Sequence, residues 1–94
     1  MTKIELIKEV QVTLKDYRLR DVSCAVNVIF EAMKNALTKN ERIEIRGFGN
    51  FTVRNRRSRW GRNPKTGTTV QIPPRKALVF KVGKELKEMV KDQQ

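Results

Sequence analysis

The sequence predicts an α+β fold with two N-terminal helices, a three-stranded antiparallel sheet that carries a long β-hairpin arm, and a short C-terminal helix. Apolar residues recur at helical spacing over residues 1–40. From residue 42 the period changes to two, which is typical of half-buried strands. Between Arg54 and Thr69 the only large apolar side chain is Trp60, so this stretch cannot pack onto a core and is expected to project as the arm.

Both N-terminal helices have recognisable ends. Helix one is predicted over about residues 3–14, after the capping box Thr2-Lys3-Ile4-Glu5, in which the hydroxyl accepts from a free backbone N–H. Helix two ends at Asn40, because asparagine can adopt the left-handed conformation of a helix cap. Its broad apolar stripe is interpreted as an ordinary core face. The stripe consists of Val22, Ala25, Val26, Ile29, Phe30, Met33, Ala36 and Leu37.

Strands are predicted on both sides of the arm. Residues 42–46 alternate between polar and apolar side chains, and residues 47–50 form a glycine-rich turn around Phe48. A second strand leaves this turn, and a third returns from the arm before Gly83. A short helix follows over about 83–91, with a frayed tail from Lys91 onward. The inward-pointing residues of these two strands are Phe51, Val53, Leu78, Phe80 and Val82.

A chain of 94 residues is expected to form one domain. Within it we expect a helical base over about 1–40 and a sheet with its arm over about 41–82. The arm itself covers about 54–76. So short a chain buries a modest share of its surface, so its core is marginal and dimerisation is a common solution.

The net charge of +11 is concentrated in one block of the sequence. Residues 45–84 contain eleven basic residues and no Asp or Glu, whereas the rest of the chain holds ten of each sign. So one-sided a block repels itself unless a polyanion neutralises it, and therefore indicates a polyanionic partner. Its members are Arg46, Arg54, Arg56, Arg57, Arg59, Arg62, Lys65, Arg75, Lys76, Lys81 and Lys84.

The composition argues against catalysis and against a membrane protein. The chain has no histidine and a single cysteine, Cys24, so neither a metal cluster nor an internal disulfide is expected. No phosphate loop or nucleophile motif occurs. The N-terminal residues lack the apolar run of a secretory signal, and the longest apolar runs have about four residues, far fewer than a membrane span needs. We therefore expect a soluble cytoplasmic protein that uses no cofactor, metal or small-molecule substrate.

The arm has the chemistry of a strand that binds within a groove. Its cations occupy both odd and even positions, so an extended strand carries charge on both faces. The minor groove of B-DNA offers negative walls on both sides and suits arginine best. Pro64 lies at the tip of the arm, as the second residue of the turn 63–67. Taken alone it is either an ordinary turn proline, the commoner case, or an apolar wedge that unstacks one base step.

Three motifs together resemble the bacterial HU and integration host factor family. They are Gly47-Phe48-Gly49-Asn50-Phe51, Gly61-Arg62-Asn63-Pro64-Lys65-Thr66-Gly67 and Phe80-Lys81-Val82-Gly83-Lys84-Glu85-Leu86-Lys87. The resemblance covers nearly the whole chain and favours the wedge role for Pro64. It implies a nucleoid-associated protein that bends and compacts double-stranded DNA, with Arg62, Asn63 and Lys65 beside the wedge.

The resemblance also implies an intertwined dimer, either a homodimer or a heterodimer with a paralogue, whose two arms embrace DNA. Arg46, Lys84 and Lys87 then match body positions that hold phosphates, and Lys3 is an outer contact. Arg75, Lys76 and Lys81 belong to the same basic surface at the base of the arm. The implied dimer core contains Phe30, Phe48, Phe51, Phe80, Ile29 and Met33.

Several alternatives remain open. Broad specificity, as in HU, is favoured over the site specificity of integration host factor, although the arm motif is shared by both. RNA binding and membrane-surface binding are less favoured, because the RNA grooves do not fit the arm and the block lacks an amphipathic helix. Three features depart from the family: Arg18 before helix two, Pro73-Pro74 in the returning strand, which can kink the arm, and Trp60. Trp60 either stacks on a sugar or packs across the hairpin, and packing is slightly favoured.

Overall fold

The computed structural model describes residues 1–92 and confirms the predicted α+β order. Helix α3 continues to Asp92, so the first two residues of the predicted tail are helical, while Gln93 and Gln94 lie outside the described residues. The chain separates into a helical unit, Met1–Ala36, and a second unit that begins at Leu37. The elements are α1 (Lys3–Thr13), α2 (Leu19–Thr38), β1 (Ile43–Ile45), β2 (Gly49–Arg56), β3 (Arg59–Arg62), β4 (Thr69–Ile72), β5 (Arg75–Val82) and α3 (Lys84–Asp92).

The helix ends follow local chemistry. The Thr2 side chain caps α1 by accepting from the Glu5 N–H at 3.2 Å, as the capping box predicts. Helix α2 begins directly after Arg18, whose carbonyl accepts from the N–H groups of Asp21 and Val22 at 3.0 and 3.1 Å. Asn40 has φ of 65°, which confirms its predicted left-handed conformation.

The core of the helical unit is small. Ile7, Val22 and Val26 are its buried residues, and Val10 and Phe30 pack against them. Only part of the apolar stripe of α2 is therefore covered, and Ile29 remains 57% exposed. The interpretation of the stripe as an ordinary core face is thus too broad for one protomer. The eleven-residue α1 covers one side of the stripe and leaves the other open.

The three-stranded sheet has the order β1-β2-β5 and is antiparallel throughout. Phe51 pairs with both Ile43 and Phe80, so apolar residues of all three strands share one face. On this apolar sheet face the Phe80 ring lies 5.6 Å from that of Phe48 and 4.7 Å from that of Phe51. Phe80 is nevertheless 43% exposed and Leu78 60% exposed. The predicted marginal core is confirmed, because the sheet face is only partly covered within the protomer.

The turn between β1 and β2 holds Phe48 in this aromatic cluster. Gly83 N–H donates to the Phe48 carbonyl at 2.8 Å, and Phe48 N–H donates to that of Ile45 at 3.0 Å. Gly49 is buried, and a Cβ at this position would lie 2.6 Å from the Lys81 carbonyl oxygen. Only glycine permits so close an approach of β2 and β5 beside the ring of Phe80.

Candidate nucleic-acid interface

The arm consists of two antiparallel ladders that share one register. In the base ladder, β2 pairs with β5 as far as Arg56 opposite Arg75. In the tip ladder, β3 pairs with β4 from Arg59 opposite Ile72 onward. Two residues on each strand separate the ladders, so the register passes through without a bulge. The arm predicted over 54–76 is therefore a hairpin interrupted once.

The interruption coincides with Pro73 and Pro74, which lie across from Ser58 and Arg57. Proline has no backbone N–H, so neither residue can donate to a ladder. The two prolines therefore separate β4, which ends at Ile72, from β5, which begins at Arg75. The proline pair thus divides the arm into two ladders and leaves the register of strand pairing unchanged.

Cations lie on both faces of each ladder, as the sequence predicts. In the base ladder Arg54 and Arg56 lie on one face, and Lys76, which pairs with Asn55, lies on the other. The tip ladder has a Trp60 face, formed by Trp60, Arg62, Thr69 and Gln71, and an Ile72 face, formed by Arg59, Gly61, Val70 and Ile72. Either face of the arm can therefore meet an anionic wall.

The base ladder carries a directly opposed pair of like charges. Arg56 lies opposite Arg75, an arrangement that destabilises antiparallel strands. Both residues line an open groove of about 400 Å³ at the interruption. Its lining contains no carboxylate and consists of Arg54, Asn55, Arg56, Arg57, Ser58, Arg59, Ile72, Pro73 and Arg75.

No carboxylate within residues 1–92 forms an ion pair with a cation of the arm. The ion pairs found in that range are Arg20 with Asp21, Lys34 with Glu31, and Arg42 with Glu44. The repulsion within the groove is therefore left for solvent ions or an external anion to neutralise. An extended polyanion fits this surface better than a single small anion does, because the cations continue along the arm.

The tip of the arm is a hydrogen-bonded loop that exposes Pro64. The Asn63 side-chain oxygen accepts from the Lys65 N–H at 2.9 Å, and the Asn63 carbonyl accepts from the Gly67 N–H at 2.7 Å. Gly67 takes φ of 71°, which closes the loop. Asn63 is half-buried, whereas Pro64 and Lys65 are exposed. The ring thus lies on a loop that is closed by its own hydrogen bonds.

Trp60 does not pack across the hairpin. It lies opposite Gln71 and is 70% exposed, so the slightly favoured interpretation of the sequence is wrong. The reason lies on its own face, where the cross-strand neighbours Gln71 and Thr69 are polar and offer the indole no apolar partner. On the opposite face the Ile72 side chain covers Gly61, where an added Cβ would lie 2.5 Å from Ile72 Cδ1.

The sheet bears a polar face opposite the apolar one. Lys81 pairs with Asn50 there, beside Thr52 and Arg54. Arg42 lines the same open groove of about 350 Å³ and bonds Glu44 at 3.0 Å. Sequence reasoning missed Arg42, Asn50 and Thr52 as members of the site. For Asn50 and Thr52, the signal that could have identified them is their shared parity with Arg54 along β2.

The other predicted residues are dispersed over the fold. Arg46 follows β1 in the turn, Lys84 and Lys87 lie in α3, and Lys3 is the first residue of α1; all four are exposed. Among the predicted dimer-core residues, the aromatic cluster unites Phe48, Phe51 and Phe80. Phe30 instead packs with the helical core, Ile29 is mostly exposed and Met33 is half-buried.

Residues 1–92 contain neither a candidate membrane span nor a candidate metal site. No helix there has the length and apolarity required to cross a membrane. No group of three or more His, Cys, Asp or Glu side chains in the same range is placed to hold a metal.

An acid-free hairpin arm on a small α+β body defines a class of nucleic-acid-binding proteins. The chain belongs to the bacterial DNA-binding protein family, whose model matches residues 1–91. It is thus a DNA-binding protein of the HU and integration host factor type and not an enzyme.

Individual relatives cover almost the whole chain. The integration host factor subunit beta of Marinobacter nauticus is 47% identical over 92 residues, which are 98% of this chain and 94% of the relative. The same subunit of Histophilus somni is 50% identical over 90 residues, 96% of each chain. Among solved structures, HU of Anabaena in a cocrystal with DNA has a TM-score of 0.82 at 30% identity, and covers 96% of this chain and 97% of that one.

Proposed function

We propose that this protein is an architectural factor that binds double-stranded DNA with two minor-groove arms and bends it at two points. The observation that carries the proposal is the arm itself, an acid-free hairpin with an exposed proline on a hydrogen-bonded tip loop. A protein with this role acts on the bacterial chromosome, in the nucleoid.

The distribution of charge supports a groove as the binding site. A flat surface would meet one face of the arm, whereas Arg56 and Lys76 lie on opposite faces of the base ladder. The minor groove of B-DNA is about 6 Å wide and negative on both walls, so it matches cations on both faces. Arg46, Lys81, Lys84 and Lys87 of the body then contact phosphates between the arms, and Lys3 contacts the flanks of the bent duplex. The polar sheet face supports this assignment, because it continues from the base of the arm through Arg54 to Lys81.

The apolar surfaces support a dimer as the active form. The apolar sheet face leaves Leu78 60% and Phe80 43% exposed, and the uncovered side of α2 leaves Ile29 57% exposed. Where only three apolar residues within residues 1–92 are buried, surfaces of this kind are typical of one half of a shared core. The two protomers then supply two arms and two wedges.

Replacing Pro64 by alanine should reduce DNA bending and leave salt-dependent binding largely intact. Alanine keeps the charge of the tip, but it loses the rigid ring that enters between base pairs. Energy transfer between dyes at the two ends of a duplex measures the bend angle, and fluorescence anisotropy measures the affinity.

Pro74→Ala is the matched control for this measurement, because it removes a proline ring from the arm away from the tip. We expect Pro74→Ala to bend DNA as the wild type does. An unchanged bend angle for Pro64→Ala would refute the wedge role, whereas loss of binding by both variants would point to damage of the arm.

The degree of sequence specificity is a finer part of the proposal. We propose broad specificity for the homodimer, since minor-groove contacts read bases poorly and preference then follows from how easily a step kinks. The relatives named integration host factor subunit beta favour a second candidate, a site-specific bender that acts with an unlike subunit.

Competition between random DNA and a site selected from a library distinguishes the two candidates. The homodimer of this chain should prefer the selected site by less than about a hundredfold, below the range of roughly 10³–10⁷ found for specific binders. A preference of about 10³ or more, shown by this chain without another subunit, would instead establish site specificity.

A further inference from the structure

We infer that Trp60 packs against the deoxyribose wall of the DNA groove and thereby makes the arm selective for deoxyribose over ribose. This inference rests on the proposed function and deepens it, since it assigns a sugar contact to a residue that neither the charge nor the wedge explains. The tip ladder presents this one large aromatic side chain on an otherwise polar face.

The first argument is the position of the indole. Trp60 is 70% exposed, and its cross-strand neighbour is the polar Gln71. On the opposite face the half-buried Ile72 already covers Gly61. The indole is therefore the large apolar surface that the Trp60 face of the tip ladder offers to a partner.

The second argument is the chemistry that surrounds the indole. Arg62 lies on the Trp60 face, and Arg59 lies next to Trp60 in sequence but on the Ile72 face. The described residues place no carboxylate against either cation. A fitting partner must therefore combine negative charge with apolar C–H surface at short spacing. The sugar–phosphate backbone has this combination, because each deoxyribose lies between two phosphates.

The third argument is the distance from the wedge. Trp60 precedes Pro64 by four residues, which corresponds to about 13 Å of extended chain. An indole at this distance along the groove lies beyond the base step that Pro64 unstacks. The bases there remain stacked and present only their edges, so the indole face meets the sugars that form the walls of the groove.

A sugar contact at this place distinguishes DNA from RNA. Ribose displays its 2′-hydroxyl in the minor groove, whereas deoxyribose displays C–H groups. The faces of an indole cannot pair with a hydroxyl as water does, so covering the hydroxyl is unfavourable. Trp60 therefore favours a duplex whose sugars lack the 2′-hydroxyl, in addition to the selection that groove width provides.

The test uses the full-length protein and two duplexes of identical sequence, one entirely deoxyribose and one with ribonucleotides at spaced positions. The variant is Trp60→Gln, which keeps the charge of the arm. The matched control is Tyr17→Gln, which removes an aromatic side chain that is 61% exposed in the helical unit. Anisotropy titrations of each protein at one salt concentration give its ratio of affinities for the two duplexes, and comparing variant with wild type cancels any effect of the ribonucleotides on the shape of the duplex.

Wild type and Tyr17→Gln should bind the ribonucleotide duplex about tenfold more weakly than the deoxyribose duplex. Trp60→Gln should bind the deoxyribose duplex about tenfold more weakly than wild type and discriminate less than about twofold. Undiminished discrimination by Trp60→Gln would overturn the inference. Failure of the wild type to bind the deoxyribose duplex would instead refute the proposed function.

Discussion

Raising the salt concentration from about 50 to about 200 mM should weaken DNA binding by about three to five decades, as expected for a dimer that engages roughly 6–10 phosphates. Each phosphate that an arginine or lysine neutralises releases condensed counterions, and added salt opposes that release. The acid-free block supplies the cations. Since no carboxylate within residues 1–92 is paired with a cation of the arm, these charges are available to phosphates. Anisotropy titrations over a series of salt concentrations give the slope.

Two variants locate the origin of the slope. Arg56→Gln removes one member of the opposed pair with Arg75 in each protomer, so the slope should fall by about one for each phosphate that the variant no longer neutralises. Lys8→Gln, on the exposed surface of α1, is the matched control and should leave the slope unchanged. If the salt dependence of the wild type corresponded to only one or two phosphates, it would contradict binding by the two arms of a dimer.

Replacing Phe80 by alanine should destabilise the folded protein by about 3–5 kcal/mol, which is a large share of the stability of a small domain. Phe80 is the ring that contacts both Phe48 and Phe51. It is 43% exposed in the protomer, and burial against a second protomer brings the cost of its removal into the range of core truncations. Thermal denaturation measures the loss, and sedimentation at micromolar concentration reports the oligomeric state.

The wild type should sediment as a dimer, and Phe80→Ala should show a lower melting temperature together with dissociation. Phe80→Leu keeps most of the apolar volume, so its melting temperature should lie between those of the wild type and Phe80→Ala. Val70→Ala, in the arm, is the control and should change neither property, because the arm lies outside the predicted shared core. If the wild type were a folded monomer at micromolar concentration, the proposal that a dimer supplies two arms would be refuted.

Local chemistry allows most of the fold to be predicted. The cap at Thr2, the left-handed Asn40 and the turn around Phe48 depend on a few neighbouring residues, and each is found where the sequence indicates. The charge on both faces of the arm follows from the alternation of a strand, which needs no knowledge of the partner strand.

The features that the sequence leaves undecided depend on how distant residues pair. That Arg56 lies opposite Arg75, and that Pro73 and Pro74 fall between two ladders, are properties of the register. The exposure of Trp60 follows from its pairing with Gln71 on a polar face, a neighbour that only the register assigns. The extent to which α1 covers α2 likewise depends on packing, and for this reason periodicity alone predicts an apolar stripe that is wholly buried.

The register that both ladders share restricts how such an arm can evolve. Insertion of one residue into a single strand would move the residues of that strand beyond the insertion, cations included, to the opposite face and mismatch them with the partner strand. Arms of different length should therefore arise through matched insertions or deletions in both strands. The interruption at Pro73 and Pro74, where no ladder bond has to be remade, is the place where such paired changes are easiest to accommodate.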